Sequence, residues 1–157
     1  MEIVPGKLAF VPMLVLAAVL AGCAVQPTPT EESATVVAPP PPGERANYQV
    51  FFDTDSAELN ADGRAVIASI AAFSANNKDL SVRVIGKTDR VGAPPINMAL
   101  SKRRTEAVLQ ALVGAGMPTA RIDWGWTGER NLPVPTADGK PEARNRVVEV
   151  SVAKEGD

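Results

Sequence analysis

The sequence predicts an α+β domain of order β-α-β-α-β-β, a mixed four-stranded sheet with helices packed on it, preceded by a segment that takes no part in the fold. Three observations predict it. Leu80-Ser81-Val82-Arg83-Val84 and Val148, Val150 and Val152 alternate with period two, the mark of strands with one buried face. Val66, Ile70 and Phe73 recur at spacings of four and three, the mark of a helix with one apolar stripe. Four consecutive prolines, Pro39 to Pro42, separate these patterns from everything upstream.

The chain has 157 residues, enough for one domain. Residues 1–22 carry Lys7, an apolar run from Leu8 to Leu20 broken only by Pro12, and small residues at the end. A charged start, a short apolar middle and a small-residue close describe an export signal. The run is short for a spanning helix, which needs about twenty apolar residues. Extended to Val25 it becomes a borderline span, so an uncleaved anchor stands as the alternative. Leu20-Ala21-Gly22-Cys23 resembles the lipobox of bacterial lipoproteins. That resemblance implies acylation of Cys23, with cleavage leaving it as the new N-terminus. Each buried methylene contributes about 0.8 kcal/mol, so several acyl chains anchor durably. Ala24 stands where aspartate favours inner-membrane retention in such lipoproteins, which implies the outer membrane.

Residues 23–46 are rich in Pro, Thr, Ala and Val. Proline removes a backbone donor and fixes φ, disfavouring helix and sheet alike. The expectation is a disordered tether holding residues 47–157 off a membrane surface; at about 3.1 Å per residue in polyproline geometry it spans some 70 Å.

In the domain, Tyr48 to Phe52 is the first strand. Asn60 caps the first helix and Asn76-Asn77 ends it. The second strand follows at Leu80. A second helix runs from about Pro95 to Ala115, stopped by Gly114, Gly116 and Pro118. Ile122 to Thr127 is the third strand and the valines from Val148 form the fourth, with a proline-rich loop between them.

Composition closes several function classes. Sixteen basic against eighteen acidic residues give a net charge of −2, so nucleic acid is not an expected partner. Histidine is absent, removing the commonest general base and metal ligand. The single cysteine excludes intrachain disulfides and Cys-based metal clusters. No metal and no cofactor are expected. Gly86-Lys87-Thr88 mimics the end of a phosphate-binding loop, but Ser81 stands where its first glycine belongs.

The second helix carries an anomaly. Asn97, Ser101, Arg104, Val108, Ala111 and Ala115 share one stripe, polar in its first two turns and apolar in its last two. An inward Arg104 needs an anion, because an unpaired buried charge is costly. Either it pairs internally with Asp53, Asp55 or Asp89, or it waits in a polar pocket for a ligand carboxylate.

Thr88-Asp89, Gly92, Asn97, Leu100-Ser101 and Arg104 reproduce the spaced signature of OmpA-like C-terminal domains, as found in peptidoglycan-associated lipoproteins. Phe52-Asp53-Thr54-Asp55 is similar to the family's first strand-end motif; Gly128-Glu129, Asp138-Gly139 and Asn145-Arg146 resemble its closing segment. The likeness covers nearly all of 47–153. It implies binding of the peptidoglycan stem peptide through its diaminopimelate residue, with Asp89 facing the ammonium and Arg104 the carboxylate. Asn97, Ser101 and the backbone of Asp53, Thr54 and Asp55 would add neutral hydrogen bonds, and Arg146 would support the site.

Three departures from the pattern stand out. Lys87 replaces a common histidine and is expected to be a solvated charge, like Arg103. Asn145-Arg146-Val147-Val148 lacks a usual second arginine. Pro94-Pro95 is expected to stiffen the loop before the helix.

The resemblance implies a non-catalytic, lipid-anchored outer-membrane protein with its domain in the periplasm. Two alternatives are an interaction module for periplasmic or envelope proteins and a wall hydrolase using carboxylates from Asp53, Asp55, Asp89 and Glu129. Trp124 and Trp126, alternating on one strand face, are expected to pack in the core, with a sugar-stacking platform as the rival.

Overall fold

The computed structural model describes residues 45–154. The export signal, Cys23 and nearly all of the tether lie outside them. Four strands and two long helices follow in the expected order: β1 (Ala46–Phe51), α1 (Ala61–Asn76), β2 (Leu80–Lys87), α2 (Pro94–Gly114), β3 (Ile122–Gly128) and β4 (Val147–Lys154). The sheet runs β1-β4-β2-β3. β4 is antiparallel to β1 and β2, while β2 and β3 are parallel, so the sheet is mixed as predicted.

Alternation builds the core. Ala46, Tyr48 and Val50 of β1, Leu80, Val82 and Val84 of β2, and Val148, Val150 and Val152 of β4 are buried. They meet Ile67, Ile70 and Phe73 of α1 and Val108 and Leu112 of α2. Val66, counted in the predicted stripe, is only half-buried and flanks this core.

Asn60 caps α1, its side chain accepting from the Gly63 amide at 2.8 Å. The other end of α1 is held by Arg121, whose guanidinium donates to the carbonyls of Asn77 at 2.8 Å, Leu80 at 2.7 Å and Ser74 at 3.3 Å. A cation there also meets the negative end of the helix dipole.

Three expectations are corrected. Pro94 and Pro95 do not stiffen a loop; they open α2, where the missing amide hydrogens would have had no helical partner. Lys87 is not solvated: it is 7% exposed, and its Nζ lies 2.7 Å from Glu149. Trp124 and Trp126 are not core residues. They register with Val84 and Gly86 on the helix-bearing face, yet 44% and 38% of their surfaces remain exposed. β3 is the sheet's edge, and α2 meets it through its backbone, where Thr105 bonds to the Gly125 carbonyl and Ser101 to the Gly128 amide, leaving both indoles beside the helix rather than beneath it.

Gly86 sets how close α2 comes to the sheet. A Cβ there would collide with the Thr105 hydroxyl and the Ser101 carbonyl. Its absence brings the polar half of the α2 stripe directly over the end of β2.

Candidate ligand site at the ends of β2 and β3

The site starts from Arg104, which has no exposed surface. Its partners are three main-chain carbonyls. Nε donates to Ser56 at 2.8 Å, Nη2 to Asp53 at 2.9 Å and Nη1 to Lys87 at 3.2 Å. The Phe52 ring lies 5.3 Å from the guanidinium carbon. The internal ion pair considered from sequence is therefore not what satisfies Arg104, and among the described residues it bonds to no carboxylate. A guanidinium has five N–H donors; each terminal nitrogen keeps one beyond those spent on the carbonyls.

The turn that supplies two of these carbonyls depends on Asp55, which sits at φ 54. Aspartate tolerates the left-handed region better than most side chains. The reversal lets the Asp53 and Ser56 carbonyls face the same cation, while Asp53, Thr54 and Asp55 themselves stay exposed.

Asp89 follows the end of β2 and is 6% exposed. Its Oδ2 accepts from Arg146 Nη1 at 3.3 Å and its Oδ1 from the Val91 amide at 3.4 Å. Both contacts are long for an ionised acceptor, which takes N–H donors at about 2.7–2.9 Å when unconstrained. Arg146 is itself held by the Phe52 carbonyl at 3.2 Å. It thus ties the strand-end motif to Asp89.

Burial pulls the Arg104 guanidinium down to about 10, well below its ordinary value; Asp89 and Asp55 attract its charge, while Arg146 and Arg103 repel it. The cluster carries both signs within interacting distance: Arg146 pairs with Asp89 at 3.3 Å, while Arg104 bonds to no carboxylate among the described residues. It can receive a ligand that brings an ammonium and a carboxylate at once.

Asn97 and Ser101 lie on the predicted stripe but work inside the fold. Ser101 Oγ accepts from the Gly128 amide at 3.1 Å and donates to the Met98 carbonyl at 2.8 Å. Gly128, at φ 61, packs against the Met98 backbone, where a side chain would be strained. Asn97 Nδ2 donates to Glu129 at 2.7 Å. Sequence reasoning considered Glu129 only as a carboxylate of a possible hydrolase; the structure makes it the partner of Asn97, and its place directly after Gly128, in the closing segment, was the available signal. The bond fixes the Asn97 amide with its oxygen toward Gly92.

Asn145 is buried and shapes the surroundings. Its side chain accepts from the Val134 amide at 2.9 Å and donates to the Val134 carbonyl at 2.8 Å and Thr136 Oγ1 at 3.0 Å, pinning the long loop after Glu129. A shallow hollow of about 310 Å³ adjoins the cluster, lined by Phe52, Asp53 and Arg146 among others. A larger cleft of about 830 Å³ runs between α1 and the β1 edge, lined by Gln49, Val66 and Ser69 among others. Neither hollow is lined by Asp89 or Arg104; the smaller one reaches the cluster through Asp53 and Arg146, which the larger one does not touch.

Comparison with known proteins places this arrangement. A model of the OmpA family matches residues 51–146, from the end of β1 to the residue before β4. The chain is 38% identical over 115 residues to an outer membrane protein of Gluconacetobacter diazotrophicus, covering 69% of this chain and 30% of that protein. It is 32% identical over 104 residues to the probable lipoprotein YiaD of Escherichia coli, covering 66% and 48%. The matched region is thus less than half the length of either relative. Among solved structures, the peptidoglycan-associated lipoprotein of Burkholderia pseudomallei superposes with a TM-score of 0.61 at 26% identity, covering 66% of this chain and 88% of that one.

Proposed function

Because the chain belongs to the OmpA family, we propose that it is a non-catalytic anchor that ties the outer membrane to peptidoglycan by holding the diaminopimelate residue of the stem peptide. The observation that carries this reading is the buried Arg104 fork beside a loosely bonded Asp89. Diaminopimelate presents an ammonium and a carboxylate on one carbon. Asp89 takes the ammonium, displacing a long contact to Arg146, and Arg104 directs its unspent N–H donors at the carboxylate. Asn97 offers its oxygen to the ammonium, the backbone of Asp53, Thr54 and Asp55 adds neutral hydrogen bonds, and Ser101 holds α2 to the end of β3. Arg146, released, supports the carboxylate end.

Asp89 and Glu129 both act as acceptors for neighbouring donors, the role a binding site needs, and this favours holding a ligand over cleaving one. Acylated Cys23 fixes the other end of the chain in the membrane, and the tether keeps the local wall concentration high, so a modest single-site affinity suffices.

The test is co-sedimentation of the purified chain with isolated sacculi. Wild type pellets; Asp89→Asn and Arg104→Met stay in the supernatant. Equal pelleting of both variants refutes the assigned site, and release of soluble sugar fragments from the sacculi refutes the non-catalytic reading. Radiolabelled palmitate entering wild type but not Cys23→Ser tests the anchor.

A further inference from the structure

Trp124 and Trp126 have no part in the site described above, and the core does not use them fully. They stand on one face of the edge strand β3, two residues and so about 6.6 Å apart along it, each more than one-third exposed. Lys102 of α2 places its Nζ 5.4 Å from the centroid of the Trp126 ring, steadying that ring from the helix side. Lys102 is itself within 3.8 Å of Glu106. The result is a short aromatic ledge with charged, hydrogen-bonding groups along one border.

β3 links the ledge to the ligand site through the fold. Glu129, bonded to Asn97 at 2.7 Å, follows Gly128, whose amide meets Ser101, and β3 leads back from there to Trp126 and Trp124. The Thr88 amide, next to Asp89, donates to the Gly128 carbonyl at 2.9 Å, so the last residue of β3 is fixed beside Asp89.

We infer that Trp124 and Trp126 form a second binding surface, for the β-linked N-acetylhexosamine chain of the wall polymer. This rests on the stem-peptide reading, because the peptide seated at Asp89 and Arg104 is covalently attached to that chain. Sugar rings present axial C–H groups on flat faces, and indole rings are the side chains best suited to pack against them. Hydroxyl and acetamide groups at the sugar edge find Lys102 and Glu106. A protein partner would demand a wider apolar patch, whereas this ledge is narrow and bordered by charge. The peptide contact selects the wall, and the ledge adds affinity for its glycan without reading the peptide.

Trp124 and Trp126 are the two tryptophans of the chain, so indole emission reports on this surface alone. The purified full chain is titrated with tetra-N-acetylchitotetraose, which carries no peptide, and in parallel with free diaminopimelate. The expected result is a saturable change in emission with the sugar. Trp126→Ala, read through Trp124, should weaken sugar binding roughly tenfold, as loss of one aromatic packing contact does. The same variant should reduce sacculus pelleting several-fold and leave diaminopimelate binding unchanged. Absence of a saturable emission change in wild type overturns the proposal, with no variant required. So does sacculus pelleting that is undiminished in Trp126→Ala, or concentration-dependent self-association that the sugar does not disturb, which would assign the ledge to a second copy. Failure of diaminopimelate to bind, or its indifference to Asp89→Asn, would instead remove the stem-peptide reading.

Discussion

Replacing Arg104 with methionine separates what the guanidinium does for stability from what it does for binding. Holding this charge at neutral pH, with its value pulled down to about 10 by burial, costs about 3 kcal/mol. Against that stand three hydrogen bonds to the carbonyls of Asp53, Ser56 and Lys87, each contributing about 0.5–1.5 kcal/mol net. The Asp53 carbonyl belongs to an exposed residue and recovers water when the donor is gone. Methionine fills most of the vacated volume with a flexible apolar chain beside Phe52. The two sides nearly cancel, in line with the general finding that apolar replacements of buried charges are often neutral. Arg104→Met should therefore change the unfolding free energy in urea by less than about 2 kcal/mol. Sacculus binding should be lost. A loss of 4 kcal/mol or more, with the folded fraction still pelleting normally, would show that Arg104 is a structural clamp and that the carboxylate reading is wrong.

Other consequences are open to the same measurements. Arg121→Ala strips the carbonyls of Ser74, Asn77 and Leu80 of their donor and should cost about 2–3 kcal/mol in urea unfolding, with faster amide exchange in the last turn of α1. Asn145→Ala removes three hydrogen bonds to the long loop; limited proteolysis should then cut near Val134, while β1 to α2 stays protected. Bonding to Arg144 holds the Glu142 carboxyl at about 2, below its ordinary 4.5. Because the folded value is the lower one, the stabilisation is present above about pH 4.5 and lost as pH falls toward 2. Thermal melts of wild type and Arg144→Ala should therefore differ at pH 7 and converge at pH 2.

The elements were legible where burial and local geometry agree. Alternation in β2 and β4 needs only that one face be apolar, and the valines of β4 are all buried. Asn60 was legible because a cap is local, a side-chain oxygen answering an amide three residues on. The polar half of the α2 stripe was legible as an anomaly, and Arg104 is inward as its position demanded. What satisfies it was not legible. The sequence names carboxylates as partners for a buried cation, yet the partners are main-chain carbonyls, which every residue possesses and which no composition reveals. They converge because of a left-handed Asp55 and a glycine at position 86, both tertiary facts.

The tryptophans failed for a related reason. Period-two spacing assigned Trp124 and Trp126 to the helix-bearing face correctly, but α2 meets β3 through its backbone at Gly125 and Gly128 and leaves both indoles at the sheet's rim. β3 lies at the edge of the β1-β4-β2-β3 order, and strand order follows from long-range pairing that local patterns do not encode. Lys87 is the mirror case: a cation that composition places in water is carried inside because its strand lies beside β4, where Glu149 stands. Lys87 stands two residues before Asp89, and Trp126 pairs with Gly86, next to Lys87. The positions that local rules misplace therefore gather where the chain departs from optimal packing, which is the expected signature of a surface kept for a ligand rather than for the core.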